Sequence, residues 1–284
     1  MSGTASAGSI LPQVRPRAQV TILGAQIDRV GTDDAVARIE GWIAERPPRP
    51  HHVVVTGFHG IWTGYRDPAF RTILNRADLF CPDGIAPIWL ARLRGQPLPE
   101  RVPGAELMRR VLLAADARGY SSFFYGDTEA TLDALSRRLA GDYPGHRIVG
   151  VRSPPFRPLS PAEVDADLDR INASGADLLW VGLGLPRQER WIDAYRERLR
   201  VPVVIGVGAA FGFLSGTVTR VPSWLGDAGF EWLWRLAMEP RKVWRRDLID
   251  GPQFLYHGLR ESLAYRLRRG GDAEKSGRNE SEFS

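Results

Sequence analysis

Seven short apolar runs constrain the fold of this chain more than any other feature. They are "VTIL" (20–23), "HVVVTG" (52–57), "DLFCP" (78–82), "SFFYG" (122–126), "RIVGV" (147–151), "DLLWVGLG" (177–184) and "VPVVIGVG" (201–208). Several lack polar residues at alternate positions. A strand with one face in water alternates, whereas a strand covered on both faces need not. Helical patterns lie between most of the runs. "SPAEVDADLDRINAS" (160–174) begins with Ser160 as N-cap and Glu163 at the capping-box position, and a second helix opens at Asp127 and stops near Gly145. This alternation predicts an α/β fold, a Rossmann-like, mostly parallel sheet sandwiched by helices.

Residues 1–17 are rich in Ser, Gly, Pro and Ala and read as a disordered leader, and residues 270–284 as a disordered tail. The α/β core then spans 18–216. Residues 217–269 hold no convincing strand and read as a helical appendage. Four of the nine tryptophans lie there (Trp224, Trp232, Trp234, Trp244), and nine basic residues face four acidic ones between 235 and 269. That excess equals the net charge of the whole chain, +5. The N-terminus lacks the long apolar stretch of a signal peptide, and 201–214 is too short and glycine-rich for a membrane span. The single cysteine, Cys81, excludes an intrachain disulfide and reads as a small core residue in a reducing cytoplasm.

Open α/β sheets bind ligands beyond the carboxyl ends of their strands. Five such ends here are glycine-rich or polar: "VTGFHG" (55–60), "PDG" (82–84), "FYGDTEA" (124–130), "VGLGLPRQE" (181–189) and "GVGAAFGFLSG" (206–216). They nominate His59, Gly84, Tyr125, Gly126, Asp127, Gly182, Gly184, Gln188, Gly206 and Gly208 as ligand contacts. Glycine lets a ligand approach the backbone, and a following helix N-terminus favours an anion such as a diphosphate. Asp83 suits a turn before Gly84 and equally suits chemistry at a strand end. Three rival readings stay open at this point. Gly206, Gly208 and Gly212 suggest an NAD-dependent oxidoreductase, but their dinucleotide-like spacing is one residue too long and lacks the later acidic residue. "DAD" (165–167) fits a metal-binding pair but sits in a helix, where a solvated charged face is expected. The Trp- and Arg-rich appendage suits either a membrane interface or a nucleic-acid groove, and so also a non-catalytic lipid- or nucleic-acid-binding module. No metal site follows from the histidines or the lone cysteine.

The run "RDPAFRTILNRADLFCPDGIAPIWLARLRGQPLPERVPGAELM" resembles the WecG/TagA/CpsF family of glycosyltransferases. So do "GLGLPRQERWI" and "GVGAAFGFLSGTVTRVPSWLGDAGFEWLWRLAMEPRKVWRR". The resemblance covers about Ala18 to Asp250. It implies an inverting, metal-independent transfer of a hexose or N-acetylhexosamine-type sugar, without a cofactor. The implied donor is a UDP-sugar, often UDP-N-acetylmannosamine or its uronic acid. The implied acceptor is an undecaprenyl-diphosphate-linked sugar at the inner face of the cell membrane, in exopolysaccharide or cell-wall polymer synthesis. Asp83 matches the family's proposed general base, and Thr56, Arg101 and Gln188 match further site residues. Arg235, Arg241 and Arg245 are the nearest matches to arginines that the family's appendage brings to the site on membrane engagement, with Lys242 as a register alternative. Many family members carry T-x-N at the first strand end. Phe58 stands at that Asn position here, with His59 beside it, so the donor sugar is open. The resemblance implies an anionic membrane surface as partner and no nucleic acid. A homo-oligomer also remains open, because an oligomer interface and a membrane patch share this composition.

Overall fold

The structure is a computed structural model that describes residues 17–218 and 244–281. It opens with a hairpin, β1 (Gln19–Ile22) and β2 (Ala25–Asp28), followed by α1 (Thr32–Glu45). Next come β3 (His51–Thr56), α2 (Phe58–Arg66), α3 (Pro68–Asn75), β4 (Leu79–Pro82), α4 (Ile85–Leu93) and α5 (Gly104–Arg118). The chain continues through β5 (Ser121–Gly126), α6 (Glu129–Asp142), β6 (Arg147–Arg152), α7 (Pro161–Ala173), β7 (Leu178–Gly182) and α8 (Arg187–Tyr195). β8 (Val203–Gly206) and α9 (Ala210–Ser215) complete the core. After residues 219–243 a π-helical turn, Arg246–Asp250, leads into a long helix, α10 (Gly251–Ser281). That helix runs on past Gly270, where composition alone places the start of the tail.

Six strands form one sheet in the order β4-β3-β8-β7-β5-β6, every neighbouring pair parallel. All carboxyl ends therefore share one edge. The strands do alternate, but between two apolar layers. Val53, Val55, Leu79, Cys81, Phe124, Leu178, Trp180, Val203 and Ile205 meet α1, α5, α6 and α9. Val54 and Phe80 point to the opposite side, among α2, α3, α4 and Phe254 of α10. Phe123, Tyr125, Leu179, Val181 and Val204 do the same among α7 and α8. With both faces buried, no polar residue marks the period. Cys81 is fully buried, as expected, and burial pushes its thiol pKa far up.

Three local features differ from the sequence reading. β2 carries too short a pattern to register as a strand. It forms because β1 pairs with it antiparallel and Asp28 is buried beneath it, accepting from Phe80 N at 2.7 Å and pairing with Arg17. α6 is capped by Thr128, whose hydroxyl accepts from Thr131 N at 3.2 Å, and not by Asp127. Of the two aspartates in "DAD", Asp165 is solvated. Asp167 is buried, accepting Arg152 Nε at 2.7 Å and the Tyr125 hydroxyl at 3.0 Å. The expected capping box of α7 is present: Ser160 N donates to Glu163 Oε2 at 2.8 Å and Glu163 N to Ser160 Oγ at 3.3 Å.

α10 is seated on the core along α2 and α4. Phe254 is fully buried, its ring 5.8 Å from Phe58, a burial that contributes about 1.5–3 kcal/mol. Gly258 allows the close approach to α4, since a Cβ there would fall 2.4 Å from Leu90 Cδ1. Arg94 meets Glu261 at 2.9 Å and lies over the Tyr265 ring at 4.3 Å. Trp62 Nε1 donates to Asp250 at 3.2 Å. Among the described residues no helix is long and apolar enough to cross a membrane.

Candidate active site

The carboxyl edge gathers the expected residues in two groups. The first lies at β3 and β4. Asp83 N donates to Thr56 O at 3.1 Å, which joins the two strand ends. Gly57 makes this possible, because a Cβ there would sit 2.0 Å from the Asp83 carbonyl oxygen. Val102 N donates to Pro82 O at 2.6 Å and so ties the loop bearing Arg101 beside Asp83. Thr56 is nearly buried and rests on Gly60, where a Cβ would fall 2.3 Å from its Oγ1. Gly84 has φ +86°, and a Cβ there would meet nothing within 4 Å among the described residues. The backbone at Gly84 is therefore open to a ligand.

The second group lies where β5 and β7 adjoin. After β5 the chain passes to α6 in one layer, and after β7 to α8 in the other. Strand-end loops that part in this way leave a crevice. Asp127 borders it in a left-handed conformation (φ +54°), its N donating to Gly182 O at 3.0 Å. Gly184 (φ +74°) is open in the same sense as Gly84.

The other nominated residues do structural work. A Cβ on Gly126 would fall 2.5 Å from the Gly182 carbonyl carbon, one on Gly182 2.7 Å from the Phe211 ring, and one on Gly206 2.8 Å from Gln188 Nε2. These glycines serve backbone packing. The side chain of Tyr125 is fully buried, stacked on Trp191 with ring centroids 4.6 Å apart, and its hydroxyl is spent on Asp167. Strand alternation turns it onto the sheet face covered by α7 and α8. Gln188 is also buried, its Oε1 accepting from Gly208 N at 3.0 Å. Val207 N is spent on Val181 O at 3.0 Å. The G-x-G-x-x-x-G stretch thus uses these N–H groups internally, which argues against a dinucleotide cradle.

His59 lies under the π-helical turn. Burial and the nearby Arg246 lower its pKa, outweighing Asp250 and Asp247, so the ring is neutral at pH 7. Arg246 grips the buried Asp247 through two bonds of 2.6 and 2.8 Å. Arg245 is exposed, while Arg235 and Arg241, with Lys242, lie outside the described residues. Phe58 faces Phe254, so the position of the family amide holds α10 in place.

Sequence reasoning passed over Glu189, which is fully buried at the start of α8. Its Oε1 accepts from Gln188 Nε2 at 2.8 Å. Burial pushes its carboxyl pKa up to about 7, against smaller opposing hydrogen bonds. The signal was an acid beside an amide within "RQE", indistinguishable in composition from an exposed helix start. A folded pKa above the unfolded value of about 4.3 stabilises the fold fully below that value, and the contribution is lost as pH rises through 7. We expect the unfolding free energy of wild type, relative to E189Q, to fall by about 3 kcal/mol between pH 4 and pH 8. Urea unfolding of both proteins at the two pH values measures it, and a difference independent of pH would contradict it.

A model of the "Glycosyl transferase WecG/TagA/CpsF family" matches residues 20–268. The chain belongs to the WecG/TagA/CpsF family. It is 34% identical over 199 residues to an N-acetylglucosaminyldiphosphoundecaprenol N-acetyl-beta-D-mannosaminyltransferase of Bacillus spizizenii, covering 70% of this chain and 75% of the relative. A protein of the same description from Bacillus subtilis strain 168 is 28% identical over 198 residues, 69% of this chain and 74% of the relative. Another, from Staphylococcus aureus strain MW2, is 26% identical over 239 residues, 84% and 91% respectively. Membership of the WecG/TagA/CpsF family makes this chain a glycosyltransferase and sets aside both the oxidoreductase and the non-catalytic binding module.

Proposed function

We propose that this glycosyltransferase moves a hexose or N-acetylhexosamine-type sugar from a UDP-sugar to a sugar on a polyprenyl diphosphate, with inversion and without a metal. The observation that carries the reading is the junction of β3 and β4. It sets the Asp83 loop against Thr56 and, through Val102, brings Arg101 alongside. Inversion needs a base beside the acceptor hydroxyl, on the side opposite the departing UDP. A carboxylate serves by taking that proton as the hydroxyl oxygen bonds to the anomeric carbon. The leaving diphosphate gains negative charge, which guanidinium and backbone N–H groups stabilise. Arg101, on the loop tied beside Asp83, is one candidate, and the open backbone at Gly84 and Gly184 admits the ligand.

The acceptor's lipid implies a membrane surface, and α10 has the chemistry for one. Phe254, Gly258 and Ser262 face the core. Tyr256, Leu259, Leu263 and Leu267 are exposed at spacings of three and four residues, forming a stripe on the far side. Arg260, Arg266 and Arg268 lie along the same stretch. Apolar side chains flanked by arginine suit the headgroup level of an anionic leaflet. We place the enzyme peripherally on the cytoplasmic face of the cell membrane.

A screen of UDP-sugars with a polyprenyl-diphosphate N-acetylglucosamine acceptor tests the reaction. UDP release is expected from at least one donor, dependent on acceptor and unaffected by EDTA. No release from any UDP-sugar, with release from a different nucleotide sugar, would overturn the donor class.

A further inference from the structure

Glu189 is a fully buried acid that the proposed chemistry does not use. Its Oε2 has no hydrogen-bond partner among the described residues. Its Oε1 accepts from Gln188 Nε2 at 2.8 Å, and Gln188 Oε1 accepts from Gly208 N at 3.0 Å. An amide between an acceptor and a donor has only one satisfied orientation. Turning it over would set N–H against N–H and carbonyl against carboxyl. Glu189 and the Gly208 N–H therefore together fix which way Gln188 points. The bend that Gln188 holds leaves β8, which lies between β3 and β7, with Gly206 in register with both Val54 and Val181. It thus joins the Thr56–Asp83 junction to the crevice at β5 and β7. A leucine of similar volume would avoid the cost of an unmatched buried oxygen, so packing does not account for an acid here.

We propose that Glu189 is a positioning residue for the transfer reaction, orienting the Gln188 amide so that it holds Gly208 and the bend after β8. The proposal rests on reading the strand-end edge as the transfer site.

Two variants separate its possible roles. E189Q keeps the length of the side chain and an acceptor oxygen but removes the acid. E189D keeps the acid but withdraws the oxygen from Gln188. Two readouts apply: kcat/KM for UDP release from UDP-N-acetylmannosamine, or the active donor of the screen, and hydrogen exchange of the Gly208 amide. We expect E189Q to stay within about threefold of wild type in both. E189D should lose about tenfold or more in kcat/KM, with Gly208 exchange faster by a similar factor and a cooperative melt retained. Wild-type values for E189D would overturn the proposal, as would equal losses in both variants or a loss in E189Q alone, which would indicate proton transfer by the acid. Absence of turnover in wild type would refute the functional reading instead, and Gly208 exchange would still decide the positioning role.

Discussion

Asp83→Asn is expected to lower the turnover of sugar transfer by about 10²–10⁴-fold while leaving UDP binding within about threefold of wild type. The amide has the shape of the carboxylate but cannot take the acceptor proton. The main-chain bond from Asp83 N to Thr56 O does not involve the side chain, so the junction of β3 and β4 persists. Neither does the left-handed conformation of Gly84. The loss should therefore appear in kcat and not in affinity for UDP. Turnover measured with the active donor and a polyprenyl-diphosphate acceptor, beside UDP titration calorimetry, checks both halves. An asparagine variant turning over within tenfold of wild type would remove Asp83 from the role of base.

Charge placed on the outer stripe of α10 should have the second largest effect. Leu263→Glu with Leu267→Glu replaces two exposed side chains, so the fold should melt as wild type does. On an anionic membrane each glutamate loses apolar contact and adds repulsion. Removing two buried leucine contacts of about 1.5–3 kcal/mol each predicts at least a hundredfold weaker binding to vesicles containing phosphatidylglycerol. Transfer to a membrane-borne acceptor should fall in parallel, while transfer to a short-chain soluble acceptor should stay near wild type. Flotation with vesicles and paired assays measure this. Unchanged flotation would sink the membrane reading, and a change in oligomeric state with unchanged flotation would assign the stripe to contact between copies.

Some of this is legible in the sequence. Apolar runs without alternation predict a sheet covered on both sides, and the glycine-rich ends predict where its ligand edge lies. Both depend on local composition. The motifs around Asp83 and Gln188 carried the family resemblance, and a match over residues 20–268 supports it. The hairpin partner β2 was not legible, because four residues hold too little pattern and the strand depends on its pairing and on the buried Asp28.

Glycine is the sharpest example of what needed three dimensions. In sequence, Gly84, Gly126, Gly182, Gly184 and Gly206 look equally suited to a ligand. In the fold, Gly84 and Gly184 face open space while the other three are filled by a neighbouring carbonyl, the Phe211 ring and the Gln188 amide. Tyr125, Asp167 and Glu189 are polar residues whose burial is set by what packs across from them, and α10 carries apolar side chains on two sides, only one of which meets the core. Composition and period thus determined the layers, the strand-end motifs carried the family resemblance, and the glycine-rich ends nominated the ligand edge. Which side chains reach that edge, and which helix face is left for a partner, was decided by tertiary packing, because burial depends on neighbours distant in sequence.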